Sequence, residues 1–258
     1  MKHLDFTIDF ETCGLSATAA PMMVAVVPWR REAETDPFVG DDTGERTEEE
    51  ASRWPEPLVK YVDLRTCVVD GFDFDPDTVR WWAGRSEAAK DAVCEGLAEP
   101  VEDVLISVLD YLRDAIKQYG LESVCLWAHG MDVDIAILRN LCKKYDVDLE
   151  DTIPHTSFRD CRTVILEGAI ARRKRDEAQA SRELLKNGTL TEKVLVYEDG
   201  NIEPLCSPQS ILADPTKAYT LFPPLPDEYV SGSEGHDALY DATRSSWYTW
   251  QALKSLRQ

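Results

Sequence analysis

The chain of 258 residues is 43% hydrophobic, 9% aromatic and 29% charged, a composition that folds around an apolar core and excludes a disordered or fibrous protein. Its 48 Asp and Glu against 28 Lys and Arg leave a formal net charge of −20, which excludes a protein that coats nucleic acid through a broad basic surface, since such binding works by neutralising phosphates. No apolar run is long enough to span a membrane, charges interrupt the opening MKHLDFTIDF, and the seven cysteines form no CxxC pair and no zinc spacing with the four histidines, so a reduced, cytoplasmic, soluble protein is expected.

The length suits one α/β domain over residues 1–258. Leu4, Phe6, Ile8 and Phe10 alternate with Asp5, Thr7 and Asp9, the period of a strand, and Cys13-Gly14 supplies a turn. Met22 to Trp29 is a second apolar, β-branched run that pairs with the first as a hairpin. From Arg30 to Pro57 the chain is acidic and polar, with Gly40, Asp41, Asp42 and Gly44 ahead of three glutamates, and reads as a solvated loop excursion. β-Branched character returns over Leu58 to Asp73, and Asp77 is placed to cap or open a short helix over Pro76 to Trp82.

Val101, Val104, Leu105, Val108, Leu112 and Ile116 recur at helical spacing behind an acidic first turn, the clearest amphipathic helix, spanning Pro100 to Tyr119. A short buried strand follows at Ser123 to Ala128, His129-Gly130 turns, and Asp132 to Tyr145 forms another helix. Residues 172–229 read as an insertion rich in charge, proline and turns, with a hairpin around Asp199-Gly200-Asn201 and a basic cluster at Arg172, Arg173, Lys174 and Arg175. That cluster reads first as a solvated helix face and second as a phosphate contact. Asp237 to Leu256 closes the chain as a helix.

Residues two apart on a strand project to one side, so Asp9 and Glu11 aim two carboxylates at one point. Alone, such a pair is an ordinary strand end. The segment Asp9-Phe10-Glu11-Thr12-Cys13-Gly14-Leu15, however, resembles the D-x-E-T-x-G-L signature of the DEDDh 3′→5′ exonucleases in the RNase H-like superfamily. Trp127 to Leu138 is similar to the family's second motif, with Asp134 in the aspartate's place; Asp132 is the competing register, and the flanking Val133 and Leu138 favour Asp134, leaving Asp132 as a helix cap. His236-Asp237-Ala238-Leu239-Tyr240-Asp241-Ala242 resembles the third motif, H-x-A-x-x-D-A. Phe74 to Trp82 and Arg159 to Thr163 look like segments of a branch that holds a phage exodeoxyribonuclease and an actinobacterial exoribonuclease.

The resemblance implies an RNase H-like fold, a mixed central β-sheet flanked by helices, carrying the acidic excursion and the late insertion. It implies that Asp9, Glu11, Asp134 and Asp241 hold two Mg²⁺ or Mn²⁺ ions, ions that suit carboxylate oxygens. His236 would take a proton from the attacking water. Thr12 and Leu15 would lie near the terminal nucleotide, with the Thr12 backbone and hydroxyl offered to its sugar. Trp81 or Trp82 is either a base-stacking ring or ordinary core. His129 and His155 read as structural.

The expected partner is single-stranded or 3′-overhanging nucleic acid, RNA ahead of DNA, with no membrane and with a homodimer left open. Two other classes compete. A catalytically inactive nucleic-acid binding module of the same fold would be expected to lose an acid or the histidine, and here all five positions are filled. An acidic Ca²⁺-binding or scaffold protein explains the charge but not the ordered motifs.

Overall fold

The computed structural model describes residues 3–38, 55–94, 96–119, 123–187, 195–196, 202–203, 208–230 and 237–258. These fall into two compact units, the first of Met1–Cys161 with Leu225–Trp247, the second of Arg162–Pro224 with Tyr248–Gln258.

The first unit is organised by a six-stranded sheet of order β4-β3-β2-β1-β5-β6. Its strands are β1 (His3–Thr12), β2 (Pro21–Trp29), β3 (Leu58–Val62), β4 (Ala98–Glu99), β5 (Ser123–Ala128) and β6 (Phe158–Asp160). β2 runs antiparallel to both its neighbours, while β1 pairs parallel with β5, β5 with β6, and β3 with β4. This is the mixed sheet expected of an RNase H-like α/β fold, and the β1–β2 hairpin is the one read from the two apolar runs.

One face of the sheet is aliphatic. Leu4, Phe6 and Ile8 of β1, Val24 and Val26 of β2 and Leu126 of β5 join one buried cluster with Val104, Leu105, Val108, Leu109 and Leu112. Those last five come from the amphipathic helix at Val101–Tyr119, whose apolar stripe therefore faces the sheet. Before it come α1 (Leu64–Val69), α2 (Pro76–Ala83) and α3 (Glu87–Ala92), which makes the Val101–Tyr119 helix α4; α5 (Ala136–Lys144) follows β5.

The opposite, polar face of β1 is covered as well. Asp5 and Thr7 are fully buried. They are covered by Trp29, whose Nε1 donates to Thr7 Oγ1 at 2.9 Å, by Trp127, whose Nε1 donates to Asp5 Oδ1 at 2.6 Å, and by Ser246, whose hydroxyl donates to Thr7 Oγ1 at 2.8 Å. Ser246 belongs to the closing helix, which returns across β1. Burial works to raise the Asp5 pKa, but the Arg31 fork and the His3 ring hold it below the usual carboxylate range.

Some local expectations are corrected. Strand character ends at Val62, because the Asp63 carboxylate accepts from Arg65 N at 3.0 Å and starts α1. The cap of α2 is Asp75, not Asp77: its carboxylate accepts from the Asp77 and Thr78 amides, and Asp77 sits inside the first turn. Of the acidic excursion, residues 39–54 lie outside the described set.

In the second unit, α6 (Cys161–Asn187) runs without a break through Arg172, where the insertion was expected to begin. Two short strands, Leu195–Val196 and Ile202–Glu203, pair antiparallel as the expected hairpin; its turn residues 197–201 are outside the described set. A short α7 (Pro208–Ala213) and the C-terminal part of α8 (Ala238–Arg257) complete the unit. Gly168 is required where α6 meets α8, since a Cβ there would lie 2.5 Å from the Ala252 Cβ and 2.6 Å from its Cα.

Candidate active site

β1 carries Asp9 and Glu11 on the same side, as its period requires, and a register shift between Glu11 and Thr12 marks the end of regular pairing with β2. Asp241 lies in the first turn of α8, where Asp241 N bonds the Asp237 carbonyl at 2.9 Å. Carboxylate oxygens of Asp9, Glu11 and Asp241 come within 4.8 Å of one another, although about 230 residues separate the strand from the helix.

Asp134 joins them by a different device. After β5 the chain makes a single π-helical turn, Met131–Ile135, in which the amides of Val133 and Asp134 both bond to the Gly130 carbonyl. Such turns widen a helix locally and recur at functional sites. Asp134 is buried and its Oδ1 accepts from the Phe10 amide at 3.1 Å, between Asp9 and Glu11 in β1. Asp132 is exposed in the same turn, and Gly130 is the cap residue, so the reading of Asp132 as a cap is corrected.

The electrostatics reflect the crowding. Burial, then the charges of Asp134, Glu11, Asp241 and Asp237, push the Asp9 carboxyl well above its ordinary range. Burial, then Asp241, Asp237 and Asp134, push Glu11 up from 4.5 to about 8. Neither carboxylate is paired with a lysine or arginine among the described residues. Acids crowded this closely raise one another's pKa, and a cation bound among them would offset that repulsion. The donor set is all hard oxygen, which fits Mg²⁺ or Mn²⁺ and not a thiolate-seeking metal.

Asp237 is a participant the motif reading passed over. It is buried, its Oδ1 caps α8 by accepting from Leu239 N at 2.9 Å, and its charge reaches Asp9 and Glu11. The signal was its place just ahead of the Ala238-Leu239 helix start, a cap position. His236 lies outside the described residues.

The two tryptophans divide. Trp82 is buried, and its Nε1 donates to the Thr12 carbonyl at 3.0 Å; it is a core residue that holds the strand end. Trp81 is 38% exposed, edge-on to Trp82 at 5.1 Å, with the Arg85 guanidinium 4.3 Å from its ring centroid. Thr12 is buried and its hydroxyl donates to the Gly14 carbonyl at 2.5 Å, so its hydroxyl hydrogen and its carbonyl are engaged within the protein. Leu15 is 76% exposed on the following loop.

That loop is tied down. Cys13 N bonds Ala20 O, Ala20 N bonds Asp73 O, Asp73 N bonds Thr18 O and Asp75 N bonds Cys13 O, each between 2.8 and 2.9 Å. Gly14 permits the approach: a Cβ there would lie 3.3 Å from the Cβ atoms of Ala19 and Asp75. His129 and His155 have structural partners, Ser245 Oγ at 3.1 Å and Glu150 Oε2 at 3.4 Å.

Residues 4–191 match the family described as the 3′-5′ exoribonuclease Rv2179c-like domain. The chain belongs to that family. The match covers all of β1 from Leu4 onward, with Asp9 and Glu11, and the π-helical turn with Asp134; it ends before Asp241. No curated protein matches in sequence.

Among solved structures the chain is similar to an exonuclease I in complex with SSB-Ct, at 15% identity and TM-score 0.48, covering 100% of this chain and 42% of that one. It is also similar to Escherichia coli exonuclease I in complex with a 5cy-dT13 oligonucleotide, at 14% identity and TM-score 0.44, covering 94% and 39%. A moderately thermophilic exonuclease I from Methylocaldum szegediense matches at 13% and 0.40, covering 96% and 40%. The chain thus spans less than half the length of each. Among the described residues no helix is long and apolar enough to cross a membrane.

Proposed function

We propose that this protein is a cytoplasmic, metal-dependent exonuclease that hydrolyses phosphodiester bonds from the 3′ end of RNA or DNA, RNA first, and releases nucleoside monophosphates. The observation that carries the proposal is the convergence of Asp9, Glu11 and Asp241, with Asp134 pinned behind them to the β1 backbone. Family membership supplies the reaction class.

In this reading Asp9, Glu11, Asp134 and Asp241 hold two Mg²⁺ or Mn²⁺ ions. Such ions neutralise charge on the attacking water, the phosphoryl oxygens and the leaving 3′ oxygen. The chain's own residues do the rest. The Asp134 bond to Phe10 N fixes the spacing of strand and π-helical turn, so the carboxylates are preorganised and spend little reorganisation during reaction. His236, directly before the Asp237 cap, takes a proton from the attacking water, a task suited to a group that titrates near neutrality. Trp82 and the loop bonds from Cys13 to Asp75 keep Thr12 and Leu15 at the strand end, where the terminal nucleotide would be received. Trp81 offers the exposed ring against which a base can stack, worth about 1–3 kcal/mol.

The test is a 5′-labelled single-stranded oligonucleotide incubated with the protein and Mg²⁺, Mn²⁺ or chelator. A ladder shortening from the 3′ end with metal, absent with chelator and absent in Asp9→Ala, is expected. His236→Ala should slow cleavage while leaving metal binding intact. A wild-type protein that binds the strand but yields no metal-dependent ladder on RNA or DNA would establish a binding module instead.

A further inference from the structure

The second unit contains a cleft of about 500 Å³ between α6 and the C-terminal turns of α8, lined by Arg172, Arg175, Asp176, Gln179, Trp250 and Lys254 among others. Three cationic side chains face one side-chain carboxylate there, in a chain whose acids outnumber its bases by 48 to 28. The run Arg172-Arg173-Lys174-Arg175 is therefore not one solvated face. Helical geometry sends Arg172, Arg175, Asp176 and Gln179 to the same side, whereas Arg173 is buried and Lys174 is exposed elsewhere.

The cations are held in place before any ligand arrives. Arg175 donates Nη1 to the Ser255 carbonyl, Arg172 lies over the Phe222 ring at 5.7 Å, and Lys254 lies over Trp250 at 4.7 Å. Immobilised stems lower the ordering cost of binding, and a guanidinium that gives one donor to a carbonyl keeps several for a phosphate fork. The volume falls within the range of about 300–1,000 Å³ typical of ligand clefts, more than a lone phosphate fills. Trp250 is only 4% exposed, so the cleft has an aromatic wall but no ring face on which a base can stack.

The geometry points to a second nucleic-acid contact: this cleft grips the phosphodiester backbone of a single strand, independent of sequence and without base stacking. This rests on the reading of the protein as one that acts on nucleic-acid ends. Backbone grip follows from the chemistry that dominates the wall, since forked guanidiniums and an ammonium recognise phosphate oxygens and the one tryptophan ring there is buried.

The experiment measures fluorescence anisotropy of a labelled 15-nucleotide oligo-U and oligo-dT with the full chain in chelator, across a salt series. The double variant Arg172→Gln/Lys254→Gln is expected to bind both strands about 5- to 30-fold more weakly. Its slope of log affinity against log salt should be shallower by about 1.4, two single-strand phosphate contacts at about 0.7 each. Asp176→Asn, which removes the one side-chain carboxylate, should bind about 2- to 5-fold more tightly, an outcome that loss of folding cannot mimic. An unchanged slope in the double variant overturns the inference, as does an Asp176→Asn variant that binds no tighter. An acidic peptide of equal charge is the third probe; if it binds as tightly as the strands and loses affinity with the same variants, the cleft is a peptide-docking site and the inference is wrong. Because hydrolysis is off in chelator, these results are independent of the 3′ ladder, whose failure would remove the exonuclease reading alone.

Discussion

Replacing Glu11 by Gln should stabilise the metal-free protein while abolishing its activity, and the pH dependence of that gain is a sharp test of the acidic cluster. Burial and the charges of Asp241, Asp237 and Asp134 lift the Glu11 carboxyl from 4.5 to about 8. Below the lower value Glu11 is protonated in the folded and unfolded chain alike and contributes nothing. Above it the unfolded chain ionises while the folded chain keeps its proton, so stability falls steadily until about pH 8, where the folded group ionises too. Each pKa unit is worth about 1.4 kcal/mol, which sets a ceiling on the order of 5 kcal/mol. Glu11 is half-buried, and screening by water leaves about 1–3 kcal/mol of that.

The assay is urea denaturation in chelator at pH 5 and pH 8. The variant should exceed the wild type by less than about 1 kcal/mol at pH 5 and by about 1–3 kcal/mol at pH 8. Saturating Mg²⁺ should reverse the order, because the wild type gains about 2.7 kcal/mol when the ion is at 100 times its dissociation constant and the variant binds less. A variant no more stable than wild type at pH 8, or equally more stable at both pH values, refutes the account of mutual repulsion relieved by a cation.

Three further outcomes follow from single contacts. Asp134→Ala leaves the Phe10 amide without its acceptor and should be about 1–3 kcal/mol less stable in chelator than Asp134→Asn, which relieves the same charge but keeps an acceptor, with cleavage lost in both; equal stability of the two variants in chemical denaturation would discredit the hydrogen bond. Trp82→Phe removes the donor to the Thr12 carbonyl, and should lower stability by about 1 kcal/mol and reduce kcat/KM more than a distant core substitution of equal cost. Gly168→Ala forces the helix backbones apart at Ala252 and should destabilise by about 1–3 kcal/mol, visible as a lowered Tm; an unchanged Tm would show that the helices do not pack as described.

Much of this was legible in the residues themselves. The period-2 pattern of β1 places Asp9 and Glu11 together, and the 3.6-residue pattern of α4 marks the helix that covers the aliphatic face. What was not legible depends on distant partners or on single bonds. Nothing local to Asp5 and Thr7 shows that Ser246, Trp29 and Trp127 will cover them. The β-branched content of Val59, Val62, Thr66, Val68 and Val69 hides a change from strand to helix that one carboxylate, Asp63, imposes. Adjacent Trp81 and Trp82 are identical as letters, and only the Thr12 carbonyl decides which is core. The π-helical turn likewise has no periodic signature, yet it buries Asp134 against the Phe10 amide and leaves Asp132 exposed.

The acidity of the chain looks at first like an obstacle to a protein that handles polyanions. The distribution of charge removes the conflict. At the strand end the acids are concentrated to the point of raising one another's pKa, an arrangement that costs stability unless divalent cations enter, so the same residues that repel a phosphate bare attract it when loaded. Positive side chains are few, and in the second unit three of them are gathered and held by ring and carbonyl contacts instead of being spread over a surface. On the proposed reading, a protein built this way would depend on a metal-filled pocket and a short backbone grip and would bind duplex nucleic acid weakly. That predicts release after few contacts, and an activity that falls with added salt more gently than that of a protein tracking many phosphates.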